Sequence, residues 1–229
     1  MQPYIFPYIG YFQLINVVDK FVIYDDVNFI NKGWINRNRT LNNGKESLFS
    51  IPLKEASQNK LINEIEVNWD NAWKSKFLKT LEQCYKKAPF YQEALSIIEQ
   101  TLQVDNEPIS KIIENNLKLI CHYLAIQTEI ISSSTIYLNT HLKAQERILD
   151  ICLQEKATQY INPIGGLELY DKDYFENKNI KLYFIKSKPI EYLQFKNEFV
   201  PWLSMIDVLM FNSKEKIKEF LNIYELVAP

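Results

Sequence analysis

Residues 1–27 read MQPYIFPYIGYFQLINVVDKFVIYDDV, and their pattern sets the class of fold. Pro3 and Pro7 keep the opening loop out of a helix, because each lacks a backbone N–H and restricts the residue before it. After Gly10, the apolar residues Tyr11, Leu14, Ile15 and Val18 fall at i, i+3, i+4 and i+7, one stripe of a helix. Phe21–Tyr24 is then rich in strand formers and stops at two adjacent acids, Asp25 and Asp26. A loop, a helix and a strand in this order, polar at the loop and at the strand end, is how open α/β sheets hold ligands. The two polar ends are expected to share one pocket. A parallel α/β domain would also have a strand feeding the QPY loop, and only a stub stands there.

Outward from this unit, Asn28–Glu46 is polar and Asn-rich, with Lys32, Arg37, Arg39 and Lys45 against Glu46, and it reads as a loop. Trp34 and Asn36 stand among the charges. A tryptophan flanked by arginine and asparagine suits stacking together with forked hydrogen bonds to a sugar, base or phosphate. The alternative is a solvated loop pinned to the core by Trp34 and Ile35. Residues 48–53 and 62–67 pattern as strands, the second alternating cleanly. Asp70 is placed to cap an amphipathic helix to residue 86, Pro89 ends it, and two more helices follow over 90–103 and 109–125. Residues 70–126 therefore read as a helical insertion within an α/β domain spanning 1–229. The Asn-rich segment and the two strands after it form, alternatively, an antiparallel extension.

Glu129–Ile136 patterns as a strand with a Ser-rich end, followed by a helix through Cys152 that Asn139 or Thr140 can cap. His141, Lys143, Glu146 and Arg147 cluster at its start, where free N–H groups suit a phosphate or carboxylate. His141 is one of two histidines and the one placed for proton transfer near neutral pH; a capping or surface imidazole is the other reading. Residues 159–166, QYINPIGG, run from a short strand through Asn162 into Gly165-Gly166, which permits close backbone approach to a ligand. Tyr170, in a helix expected over 167–177, faces back toward that turn. Another strand is expected over 181–186. Ser204 can cap a helix in the apolar run 199–211, where Asp207 is the one charge; an acid there is costly alone, so Asp207 is either a structural partner for an arginine such as Arg37 or Arg147, the favoured reading, or a site residue. A helix closes the chain over 213–224.

Composition is globular, 47% hydrophobic and 24% charged, so disorder is not expected. A net charge of −2 provides no basic field for nucleic acid. Cys84, Cys121 and Cys152 sit inside expected helices and show no zinc spacing, which fits small buried groups in a reducing compartment. No apolar run approaches the length of a membrane span and no leader pattern is present, so a cytoplasmic protein is expected.

The segment through Thr40, together with KAQERILDIC at 143–152, YINPIGGLELY at 160–170 and FVPWLSMIDVLMFN at 199–212, resembles the WbqC-like protein family over nearly the whole chain. Members of that family occur with bacterial O-antigen and other surface-glycan gene clusters. At Tyr160–Gly166 the chain departs from the family's frequent YLSGPGG text.

The expected fold is α/β, a Rossmann-like, mainly parallel sheet of about five strands with a central helical insertion. The resemblance implies an enzyme of surface-polysaccharide assembly, transferase- or ligase-like. Its substrate would be a nucleotide- or lipid-linked amino sugar, or the acyl or aminoacyl group on it. The alternative is a non-catalytic glycan- or protein-binding component of the same pathway. Candidate catalytic groups are Asp25, Asp26, Lys32, Arg37 and His141. Candidate substrate-binding residues are Gln2, Tyr4, Tyr8, Gly10, Tyr11, Trp34, Asn36, Lys143, Glu146, Arg147, Asn162, Gly165, Gly166 and Tyr170. Adjacent acids at a strand end can accept two hydroxyls or share a Mg²⁺, although successive strand side chains point to opposite faces. A nucleotide or nucleotide-sugar is the cofactor class this suggests, with Mg²⁺ left open. The expected partner is a small molecule or glycan rather than nucleic acid, and a homo-oligomer is left open.

Overall fold

A computed structural model describes residues 1–229. α1, Ile9–Val17, forms where the stripe predicts it and is buried on most sides through Tyr11, Phe12, Leu14 and Ile15. β1, Lys20–Val22, follows directly. Asn28–Glu46 departs from the expected loop. Within it begins a hairpin of β2, Arg37–Asn42, and β3, Lys45–Ser50, in which Arg37 pairs with Ser50 and Asn42 with Lys45. Its turn is Asn43–Gly44, with φ of 50° and 75°, the two left-handed residues that a tight type I′ turn demands. The strand expected over 62–67 is instead a short 3₁₀ turn at Ile62–Glu64 with isolated bridges, among them Leu53 to Val67. Ile62, Ile65 and Val67 still reach the core.

The three expected helices are present as α2, Asn71–Tyr85, α3, Tyr91–Leu102, and α4, Ile109–Leu124. Asp70 caps α2 by accepting from the Trp73 amide at 2.7 Å, which satisfies one of the free N–H groups of its first turn. Apolar faces of all three helices enter the same 43-residue core cluster that holds α1. β4, Glu129–Ile131, stops early because Ser133 caps a 3₁₀ turn over Ser134–Tyr137. α5, Ala144–Gln154, starts later than expected, with Lys143 and not Asn139 or Thr140 at its N-cap. Asn139 instead turns its side chain to Arg147 and Asp150.

β5, Gln159–Pro163, leads into a 3₁₀ segment over Ile164–Leu169, then α6, Lys172–Glu176, capped by Asp171, in place of one longer helix. β6, Lys181–Ser187, and α7, Met205–Phe211, match expectation; α8, Lys214–Phe220, ends short of the expected residue 224, where β7, Tyr224–Val227, is an addition. The result is a mixed α/β fold, but the single mainly parallel sheet is not formed. β1 pairs with β4 in parallel, β2 with β3 antiparallel, and β5 with β6 in parallel while β7 runs antiparallel to β6. α1 packs on β5 and β6. A smaller core of Leu149, Cys152, Phe175, Ile180, Leu182 and Phe184 ties α5 and α6 to the β5–β6 pair. No helix is long and apolar enough to cross a membrane.

Candidate functional site: an aromatic hollow over a buried charge network

The carboxyl end of β1 carries Asp25 and Asp26 into the interior, where they are 1% and 5% exposed. Asp25 accepts from the Ser133 hydroxyl at 2.6 Å and from the Ser134 amide at 3.3 Å, so it stitches the end of β1 to the end of β4. Burial raises its pKa, and hydrogen bonds from Ser133, Ser110 and Ser134 oppose that rise. Asp26 takes the other direction, accepting from the Ser134 hydroxyl and from Arg147 Nη2 at 2.5 Å. Arg147 reaches across from α5, donates through Nε to Asn139 Oδ1 at 2.9 Å, and lays its guanidinium 4.8 Å from the centre of the Tyr24 ring. Both partners of this ion pair are almost wholly out of solvent. Charges so placed hold only when paired and hydrogen-bonded, as Asp26 is to Arg147 and Ser134 and Arg147 is to Asn139. Acid and base from residues 25–26 and 147 thus meet in a closed network, and the pocket expected to be shared by this strand end and the Tyr-rich loop is not found, since neither acid is among the walls of the loop's hollow.

The Tyr-rich loop opens elsewhere. It is pinned on three sides: Ile5 N donates to Ile35 O at 3.0 Å, Phe6 N to Asn116 Oδ1 at 3.1 Å, and Asn38 Nδ2 to the carbonyls of Ile5 and Phe6. Held this way, Gln2, Tyr4 and Tyr8 face Trp34 and Arg39 from the hairpin side and Trp202 from the segment before α7. They line a hollow of about 570 Å³ with Pro3, Ile30 and Ile35. Trp34 is 45% exposed and Trp202 61%. Trp202 holds φ at 61°, a backbone state costly for a bulky side chain, and its ring meets Tyr8 edge-on at 5.9 Å. Arg39 stands 4.8 Å over Trp34 and is steadied by Glu46 at 2.9 Å, while Arg37, on the same strand face, is 6.0 Å from that ring. Burial, and then the neighbouring Tyr8 and Tyr11, push the Tyr4 phenol up, so it keeps its proton as a hydrogen-bond donor. Gly10 allows the tight start of α1, since a Cβ there would strike the Tyr8 ring and the Ser187 hydroxyl.

The hollow thus offers flat faces for a ring and a guanidinium for an anion, with no carboxylate among its walls. Four of the expected site residues line it: Gln2, Tyr4, Tyr8 and Trp34. Tyr11 lies behind, buried, donating its hydroxyl to Gln2 O at 3.0 Å. Asn36 is tied to Ile51 O at 2.7 Å, and Arg37 donates through Nε to Gly33 O at 2.7 Å. Lys32 is exposed at a left-handed position. His141, Lys143 and Glu146 are exposed around the start of α5, outside the hollow. Asn162 lines a separate groove, with Gly166 pressed against its side chain and Gly165 open to space. Tyr170 meets the Tyr160 hydroxyl at 3.2 Å.

Arg39, Trp202 and the serines 133 and 134 were outside the expected set. For Arg39 the signal was the Asn-Gly pair at 43–44, which makes a hairpin and puts residues 37 and 39 on one face. Asp207 is structural, but not through an arginine: Tyr85 donates to it at 2.9 Å, and Tyr192 and Gln194 at 2.7 Å each. Burial raises its pKa against these three bonds. No group of three or more His, Cys, Asp or Glu side chains is placed to hold a metal ion.

Comparison with known proteins agrees on one point. The chain is 27% identical over 218 residues to the uncharacterized protein Rv1507c of Mycobacterium tuberculosis (strain ATCC 25618 / H37Rv), covering 94% of this chain and 93% of that one. No solved structure matches it. A model of the WbqC-like protein family matches residues 2–219, from the glutamine that opens the aromatic loop to the last turn of α8. The chain belongs to the WbqC-like protein family.

Proposed function

We propose that this protein is a cytoplasmic enzyme of bacterial surface-polysaccharide assembly that handles a nucleotide- or lipid-linked sugar as a transferase. The observation that carries this reading is the aromatic hollow, in which Trp34, Trp202, Tyr4 and Tyr8 converge from three segments distant in sequence. Exposed tryptophans that share one concavity suit the apolar face of a sugar or a base. Arg39, with Arg37 beside it, supplies charge for a phosphate or carboxylate. Asp25, Asp26 and Arg147 act as the rigid support of the hollow and not as acid and base.

The test is a titration of intrinsic tryptophan fluorescence and melting temperature against nucleotide-sugars, nucleoside diphosphates and sugar phosphates, with and without Mg²⁺. A saturable response from one class that is lost in Trp34→Ala and in Trp202→Ala is expected. Silence from every class would overturn the reading. A second reading, a non-catalytic glycan-binding component, is favoured by the absence of any carboxylate from the walls of the hollow. Binding of a sugar-nucleotide with no bond broken on prolonged incubation with candidate acceptors would select it.

A further inference from the structure

Trp202 is the least expected wall of the hollow, and the chain on either side of it is fixed within a few residues. After it, Ser204 N donates to Arg39 O at 2.9 Å and Met205 N to Pro7 O at 2.9 Å, which moors this end to the hairpin and to the Tyr-rich loop. Before it, the mooring is a side chain. Gln194 is 1% exposed, and its carboxamide meets both backbone groups of Val200. Val200 N donates to Gln194 Oε1 at 2.7 Å, and Gln194 Nε2 donates to Val200 O at 3.1 Å. The other proton of Nε2 goes to Asp207 Oδ2 at 2.7 Å, so both donors of the amide are engaged. Asn197 N closes the turn between them by donating to Gln194 O at 3.3 Å.

Asp207 does more than hold Gln194. It also accepts from Tyr85, whose hydroxyl in turn accepts from Leu41 N at 2.6 Å, two residues along β2 from Arg39. One carboxylate therefore sets the strand that carries Arg39 and the loop that carries Trp202 relative to each other. We propose that Gln194 is the positioning residue of the hollow, and that its grip on Val200 and Asp207 forces Trp202 into the left-handed conformation that brings its ring against Tyr8. Only Pro201, Trp202 and Leu203 lie between the two moorings. Pro201 has a fixed φ and Leu203 is buried, so the reversal of the chain falls on Trp202, at φ of 61°. A left-handed residue of this bulk persists only where its surroundings over-determine it. Gln194 is not among the walls of the hollow and acts on it through Trp202 alone.

That Trp202 belongs to a ligand site rests on the proposed function; its placement by Gln194 does not, and is tested without a ligand. The full chain labelled with 5-fluorotryptophan gives one ¹⁹F resonance for each of its four tryptophans, assigned by replacing each with phenylalanine in turn. Gln194→Met keeps the length of the side chain and removes its hydrogen bonds. In that variant the Trp202 resonance should move by more than its linewidth, while those of Trp69 and Trp73 stay. Leu182→Ala, which weakens the protein by opening a cavity in the smaller core, should leave the Trp202 resonance in place. A Trp202 resonance that stays in Gln194→Met, or that moves as far in Leu182→Ala, would overturn the assignment. Should Gln194→Met fail to fold, the parent protein decides. Its Val200 amide should exchange with solvent at least about tenfold more slowly than the amides of the exposed Lys196 and Glu198, and equal exchange would overturn the clasp.

Discussion

Two polar regions flank the amino-terminal unit, and they differ in what they leave unsatisfied. Around Asp25, Asp26 and Arg147 the charged side chains are directed at partners within the protein, and the exposure of all three is 5% or less. Around Trp34 and Trp202 the large side chains keep about half their surface in solvent, and one of them sits on a strained backbone. The first arrangement is what stability asks for, since a buried charge without a partner is expensive. The second is expensive in the other sense, because apolar rings in water and a left-handed tryptophan add nothing to folding. Chemistry in the network would require breaking it; binding in the hollow requires no such step.

The largest effect should follow from opening the network. Arg147→Met leaves Asp26 buried without its cation, and urea unfolding should show a loss of about 3–5 kcal/mol. Removing both charges, as Arg147→Met with Asp26→Leu, should recover most of that. A single variant within about 1 kcal/mol of the parent would mean the pair is solvated and free for other work.

Asp207 gives a second, smaller break. Three neutral donors are aimed at its carboxylate, from Tyr85, Tyr192 and Gln194. In Asp207→Asn an amide N–H must face donors, which should cost about 1–3 kcal/mol. The pH dependence has a definite sign. Burial raises this pKa, so the folded state holds the proton more tightly than the unfolded chain. Its contribution to stability is therefore fully present below the ordinary carboxyl value of about 4 and is lost as pH rises through the folded value. Asp25 contributes in the same direction. Urea midpoints collected upward from pH 4 should fall less steeply in Asp207→Asn than in the parent, and parallel slopes would count against the assignment.

What the sequence made legible follows the same divide. Helices α1 to α4 were readable because their apolar spacing and caps act within a few residues, as with Asp70 and Trp73. Asp207 was readable as a costly acid, but its partners come from residues 85, 192 and 194, and no local pattern joins them. β3 overlaps the strand expected over 48–53 and the antiparallel alternative anticipated its pairing, but β2 was hidden by its polar composition even though Asn43–Gly44 carries the turn's conformational demand in two letters. The strand expected over 62–67 failed for the opposite reason, since an alternating pattern also fits a turn whose apolar residues all point inward. Trp34 could be suspected from its charged neighbours. Trp202 could not, because the convergence of the loop, the hairpin and the segment before α7 is a tertiary fact.

The smallest expected effect on stability, and the sharpest contrast, comes from Trp202 itself. Trp202→Gly removes a side chain that is 61% exposed and relieves φ of 61°, a state glycine adopts without steric cost. Against that relief stand the edge-on contact with Tyr8 and the added freedom of the unfolded chain, each about 1 kcal/mol or less. The terms nearly cancel, so the urea midpoint should move by less than about 0.5 kcal/mol in either direction. Ligand-induced change in the remaining tryptophan fluorescence should nonetheless disappear, because one of the aromatic walls is gone. A tryptophan that folding can do without, held in a conformation folding disfavours, is kept for what it touches. If Trp202→Gly instead destabilises the protein as much as Arg147→Met does, the two regions are alike, and the hollow is a piece of core exposed by accident.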